Sequence, residues 1–282
     1  MSLAVFCAVL AAAVLHAVWN AIVKGGSDKQ LSMAAVMLGH VPLALVGVVF
    51  SPMPAPESLP YLLAGIALHF GYQTFLMYAY QVGDLTQIYP IARGSAPMLV
   101  AGVSFLFLGV TLQPVEWLAV LVIGIGILSI SVTRRGDGQR NPQAARLALV
   151  TGGFIAAYSL VDGLGARAAG TAFGFYGWLA LGNAVLVVAY LAIKSPAHLR
   201  ALPRDGKRVF LIGGSASFIA YALVIWSFTQ APIALVTALR ETSIIFALLI
   251  GVFFLREKLS LGKVLATAIT LFGVALLRLG KS

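Results

Sequence analysis

The chain has 282 residues, 60% hydrophobic and only 10% charged, with a mean hydropathy of +0.97. Soluble domains carry about 25% charged residues, so this composition excludes a water-soluble globule and requires lipid as the solvent for most of the surface. The net charge of +10 does not argue for nucleic acid, because the bases stand in short runs between long apolar segments without a basic face or a nucleic-acid motif.

Ten stretches of about 20 mainly apolar residues predict spanning helices, at 3–23, 31–50, 60–80, 87–109, 115–133, 146–165, 171–193, 209–230, 234–255 and 261–279. The first lacks a positively charged start and stays apolar to Val23, so it reads as a mature helix and not as a signal peptide. It holds the single cysteine, Cys7, which leaves no intrachain disulfide and no cysteine metal site. His16, Asn20 and Lys24 share one face, with Trp19 beside His16. That face reads as a polar cavity wall, or as a helix end that snorkels Lys24 to the headgroups. The third span carries His69, Tyr72, Gln73, Leu76 and Tyr80 on one stripe, which suits cavity lining or hydrogen bonding between helices.

Along the fourth span come Thr86, Tyr89 and Arg93, with Pro90 and Pro97 close by to bend the helix. Arg93 suits the attraction of an anion or a structural salt bridge. The sixth span aligns Thr151, Ile155, Tyr158 and Asp162. Asp162 reads as a proton or cation site, as an arginine's partner, or as a helix cap. Tyr176, Trp178 and Trp226 suit an aromatic or cationic solute, or an interfacial belt. The ninth span carries Thr237, Arg240, Glu241 and Ser243. Arg240 and Glu241 point about 100° apart on a helix, so each is expected to seek a partner elsewhere. Arg93 is a geometrically open partner for Glu241, as a titrating carboxylate or as a static pair. Small residues at Gly124, Gly126, Gly152, Gly153, Gly213 and Gly214 suit close helix contact.

The four histidines are scattered without ligand spacing, so no metal and no other cofactor is expected. No phosphate loop, Gly-x-Ser-x-Gly elbow or clustered nucleophile and base occurs, so no catalytic residue is expected and the chain is not read as an enzyme.

Five spans precede the polar stretch 134–146 and five follow it. An offset of 240 − 93 = 147 matches Arg93 with Arg240, Phe107 with Phe254, Leu118 with Leu265, Ala119 with Ala266 and Gly126 with Gly273. A duplicated unit with an odd number of spans inserts upside-down relative to its partner. Such inverted repeats enclose a solute site near the midplane that opens to either side. Fourteen Lys and Arg residues fall in the connections after spans 1, 3, 5, 7 and 9, against Arg167, Arg278 and Lys281 on the other side. The charge count therefore places the first group in the cytoplasm and both termini outside.

Leu15-His16-Ala17-Val18-Trp19-Asn20-Ala21-Ile22-Val23-Lys24 and Pro90-Ile91-Ala92-Arg93-Gly94-Ser95-Ala96-Pro97 resemble first- and fourth-helix motifs of the EamA branch of the drug/metabolite transporter superfamily. Leu239-Arg240-Glu241-Thr242-Ser243 and Phe254-Leu255-Arg256-Glu257-Lys258-Leu259 look like their second-repeat counterparts. Val110 stands where Glu257 would repeat, which argues for a structural role for Glu257. The resemblance implies two EamA domains of five helices, a shared cavity among helices 1, 3, 4, 6, 8 and 9, and export of amino acids or other metabolites, commonly coupled to protons or exchange. It also implies both termini in the cytoplasm, against the charge count.

The sequence thus points to an all-α membrane protein of ten transmembrane helices in two inverted five-helix EamA repeats, 1–135 and 147–282, joined by a polar linker at 136–146. The expected function is secondary-active transport of a small metabolite such as an amino acid, in a multi-pass protein of the cell inner membrane. The alternatives are efflux of drugs or cationic compounds and flipping of a lipid-linked sugar. The expected substrate-binding residues are His16, Trp19, Asn20, Tyr72, Gln73, Tyr89, Arg93, Tyr158, Asp162, Trp226, Arg240 and Glu241. The expected partners are the solute, the bilayer and a coupling proton, with the chain acting as a monomer or homodimer.

Overall fold

The computed structural model describes residues 1–82, 85–132, 142–253 and 261–279, and among them every regular element is helical. In order these are α1 (Leu3–Gly25), α2 (Lys29–Leu38), α3 (Val41–Phe50), α4 (Leu59–Val82), α5 (Leu85–Leu108), α6 (Pro114–Val132), α7 (Pro142–Ala168), α8 (Ala172–Lys194), α9 (Pro196–Asp205), α10 (Gly214–Gln230), α11 (Ile233–Arg240), α12 (Ser243–Phe253) and α13 (Leu261–Leu279). A π-helical turn, Val209–Gly213, leads into α10. Among the described residues six stretches are long and apolar enough to cross a membrane: Leu3–Val23, Gln30–Phe50, Ile91–Leu108, Pro142–Ala168, Ala172–Lys194 and Val209–Gln230. The four other expected spans fall on α4, α6, α11 with α12, and α13. The linker and the motif around Glu257 lie largely or wholly outside the described residues.

Burial is inverted relative to a protein in water. Phe50 is 83% exposed and Phe107 77%, while Arg93 and Arg240 are each 3% exposed and Asp162 and Glu241 0%. Apolar side chains at the rim with charges inside is the distribution that hydrocarbon solvent imposes. The chain is therefore a multi-pass membrane protein.

Local chemistry sets the helix ends. Ser2, Asp28 and Thr171 accept hydrogen bonds from the backbone N–H groups of Val5, Leu31 and Gly174, as N-cap residues do. Gly170, at φ +69°, follows the end of α7 in a conformation that favours glycine. Two helices expected to be continuous are interrupted. The 31–50 stretch breaks at Gly39-His40, because Pro42 has no N–H to offer the Leu38 carbonyl and its ring crowds that oxygen. The 234–255 stretch breaks at Glu241-Thr242. There the N–H groups of Glu241, Thr242, Ile244 and Ile245 bond three residues back, and Thr242 Oγ1 donates to the Leu239 carbonyl at 2.8 Å.

The main packing contacts join α6 to α13, α4 to α7 and α8, α5 to α7, α11 and α6, α1 to α10, α11 and α12, and α3 to α8. Glycines let several of these backbones meet. A Cβ on Gly214 would stand 2.5 Å from Gly39 Cα, and one on Gly126 would stand 2.7 Å from Thr270 Oγ1. Gly152 is also crowded, with the Ala92 carbonyl oxygen 2.8 Å from an added Cβ, Gly124 less so with Met98 at 3.0 Å, and Gly153 faces open space. The short α9 lays Leu199 and Leu202 against an apolar cluster and leaves Arg204 in the open. At this end of the bundle His198 Nε2 lies 2.9 Å from Asp28 Oδ2, and Gln30 donates to Ser195 at 3.1 Å. At the opposite end the Ala55 N–H donates to the Ala169 carbonyl, and Arg167 donates to the carbonyls of Phe228 and Ala231, both at 2.8 Å.

Candidate functional site

The interior of the bundle holds a cavity of about 100 Å³. A buried water needs roughly 10–15 Å³ measured in this way, so the space admits about eight waters or a small solute. Its wall comes from α1 (His16, Trp19), α2 and the break after it (Met33, Met37, His40), α4 (His69, Tyr72, Gln73), α5 (Arg93), α7 (Tyr158), α8 (Tyr176, Asn183), α10 (Ser217, Tyr221) and α11 (Arg240).

The aromatic part is a continuous set of ring contacts. His69 stacks on Tyr158 at 4.2 Å between centroids and meets Tyr221 edge-on at 5.4 Å. Tyr72 meets Tyr158 at 5.5 Å, and Tyr176 meets Tyr221 at 5.2 Å. Such pairs each add about 0.5–1.5 kcal/mol beyond area burial and fix ring orientation. On α1, Trp19 Nε1 donates to His16 Nδ1 at 3.2 Å. A neutral His16 therefore carries its proton on Nε2.

Two charged clusters flank these rings. In the first, Arg93 Nε stands 2.7 Å from Glu241 Oε2, Arg93 Nη2 donates to Ser243 Oγ at 3.3 Å, and Arg240 Nη2 stands 3.5 Å from Glu241 Oε1. The Arg93–Glu241 pairing is the one that helix geometry left open. The Arg240–Glu241 contact corrects the expectation from regular helix spacing. Bonds to the third residue back tighten the turn at Glu241, and the long arginine stem reaches back across it. In the second cluster Asp162 Oδ2 lies 2.7 Å from His69 Nε2 and accepts from Tyr221 Oη at 2.6 Å. Among the described residues its partners are thus a histidine and a tyrosine, not an arginine. Gly65 makes room for this carboxylate, since a Cβ there would stand 2.6 Å from Asp162 Oδ1.

Of the expected site residues, His16, Trp19, Tyr72, Gln73, Arg93, Tyr158 and Arg240 line the cavity. Asp162 and Glu241 lie fully buried, each bonded to residues of the wall. Asn20 turns away, its amide donating to the His16 carbonyl at 2.7 Å. Trp226 packs against the apolar core. The side chains of Tyr89, Thr86 and Lys24 lie outside the described residues. His40, Tyr221, Asn183 and Ser217 line the cavity without having been singled out for it. His69 and Tyr176 line it too, one of the two readings that the stripe on the third span and the aromatic set leave open.

A solved crystal structure of a protein superposes on the whole bundle with a TM-score of 0.75 and 19% identity, covering 100% of this chain and 98% of that one. At this identity the likeness establishes the fold. None of the curated proteins matches. Residues 144–279 match the model of the EamA-like transporter family. That segment supplies α7 to α13 and with them Tyr158, Asp162, Tyr221, Arg240 and Glu241. The second half of the chain is thus EamA-like, and the protein is a membrane transporter of the drug/metabolite type.

Proposed function

We propose that the chain is a secondary carrier, an exporter or exchanger of a small metabolite such as an amino acid or a related amphipathic solute. It works in the inner membrane by alternating access around the central cavity. The observation that carries this reading is the cavity itself, which takes charged and aromatic groups from both halves of the chain.

The ten-span, two-repeat architecture belongs to the same proposal. Counting α2 with α3, the π turn with α10, and α11 with α12 as single spans gives ten, with α9 lying outside the count. Exchanging each span n with n + 5 maps most of the main contacts onto one another, the α5–α6 contact excepted, which has no equal counterpart between α11 or α12 and α13 among the described residues. Spans 5 and 10, 2 and 7, and 4 and 9 pair with themselves, while 3 with 6 exchanges with 8 with 1, and 4 with 6 exchanges with 9 with 1. The α7–α10 contact has no equal counterpart between α1 and α4 among the described residues. Residue detail supports the axis. Gly126 faces Thr270 and Gly273 faces Ile123, and both pairs obey the offset, 273 − 126 = 270 − 123 = 147. Connections after spans 1 and 7 meet at one end, through Asp28 and His198. Those after 2, 6 and 8 gather at the other, through Ala55, Ala169, Arg167 and Ala231. An even number of crossings between the two repeats' matching loops would scatter these partners.

Asp162, with His69 and Tyr221 on one carboxylate oxygen, is the proposed proton carrier. The test is counterflow in proteoliposomes against a panel of amino acids, at several pH values, for the wild type and Asp162→Asn. Saturable counterflow that loses its pH response in Asp162→Asn is expected. An absence of counterflow for every member of the panel would remove the amino-acid reading, and an unaltered pH response would remove Asp162 from coupling.

A further inference from the structure

The formal charges of the site are not spread evenly over its wall. Arg93 and Arg240 line the cavity, whereas Glu241 and Asp162 are wholly buried behind it. Asp162 is engaged by His69 and Tyr221. Glu241 is divided between the two arginines, close to Arg93 at 2.7 Å and looser on Arg240 at 3.5 Å. Among the described residues two guanidiniums thus share Glu241 on the cavity side, in a place largely removed from water. A charge held there is costly unless an opposite charge joins it. Arg240 is 3% exposed, and among the described residues its Nε and Nη2 make no aligned hydrogen bond. Its planar fork matches a carboxylate in geometry as well as in charge. The rings of Tyr72 and Tyr158 offer an apolar face on the same cavity.

Resting on the carrier reading above, we infer that the solute bears a single carboxylate, which docks on Arg240 and Arg93 while its apolar body lies against Tyr72 and Tyr158. Glu241 is the resident anion with which that carboxylate competes. Organic cations are disfavoured by the same arrangement, because the acids that would receive them stand behind the wall.

The test uses the full chain in lipid nanodiscs and three ligands on one skeleton: 3-phenylpropionate, 3-phenylpropanamide and 3-phenylpropylamine. Titration calorimetry reads their affinities. The acid is expected to bind at least about 10-fold more tightly than the amide or the amine, the difference that one charge-assisted contact supplies. Arg240→Gln abolishes that preference, Arg240→Lys keeps part of it, and Glu241→Gln tightens the acid by a similar factor because the competing anion is gone. Should Arg240→Gln fail to fold, the wild-type ranking and Arg240→Lys carry the test. An amine that binds as well as the acid, binding of none of the three, or full acid affinity in Arg240→Gln each overturns the inference. Counterflow of a neutral or cationic solute without any acid binding would overturn it and leave the carrier reading standing.

Discussion

The crossing of α2 with α10 is held so close that one methyl group should disrupt it. At Gly214 an added Cβ meets Gly39 Cα at 2.5 Å and the Gly39 carbonyl carbon at 2.7 Å, both of them backbone. Carbon atoms rest at about 3.5–4.0 Å, so Gly214→Ala must drive the two backbones apart by about 1 Å. No flexible side chain is there to yield. Overpacking of this kind costs about 1–3 kcal/mol, and the rigid neighbour argues for the upper end. On the scaling for chains above 150 residues, about 3 kcal/mol lowers the melting temperature by roughly 6–12 °C. The displacement also reaches the site, because His40 follows Gly39 directly and Ser217 lies within a turn of Gly214, and both line the cavity. Thermal melting of the detergent-solubilised protein, together with counterflow at saturating solute, measures both effects. A Gly214→Ala protein that melts with the wild type would show that the crossing is not close-packed and would refute the argument from contact distances.

Gly153→Ala should act in the opposite direction. Nothing lies within 4 Å of its added Cβ, so the helix gains about 0.5–1 kcal/mol of propensity and the melting temperature rises. Asp28→Ala should cost about 1 kcal/mol by uncapping α2. The Leu31 amide foremost, and His198 after it, hold the Asp28 carboxyl below its usual 3.8. The contribution is therefore complete above about pH 4 and fades as the pH falls through the lowered folded-state value. Melting curves of wild type and Asp28→Ala should converge only at strongly acid pH. The carboxylate is 45% exposed, so the His198 pair itself adds little. Arg167→Gln should cost about 2–3 kcal/mol, since a charged donor of two 2.8 Å bonds to backbone carbonyls is lost. Chemical unfolding that leaves the Arg167→Gln midpoint unmoved would contradict this.

Much of the architecture is legible in the sequence, because hydrocarbon solvent leaves few options. Long apolar runs coincide with helices, and the scarcity of charge singled out Arg93, Asp162, Arg240 and Glu241. Their partners were harder to read. Arg93 with Glu241 was within reach, since few buried opposites exist. Asp162 with His69 and Tyr221 was not, because the rotation of α4, α7 and α10 about their axes is decided by packing. The interruption at Gly39-His40 had a signal in Pro42. The one at Glu241-Thr242 had none of that kind, and it rests on a threonine hydroxyl that any helix position could have carried. Asn20 shares the face of His16 by spacing, yet its short amide finds the His16 carbonyl before it finds a cavity.

The interruption at Glu241-Thr242 divides its span into arms of 8 and 11 residues, about 12 Å and 16 Å long at 1.5 Å per residue. Each arm is near half the thickness of the hydrocarbon layer, so the joint between them sits at mid-depth. A swing of either arm sweeps its outer end widely and its inner end hardly at all. On the carrier reading proposed above, Glu241, mounted at the joint beside Arg240, would keep its grip on Arg93 while the two mouths of the protein widen and narrow in turn.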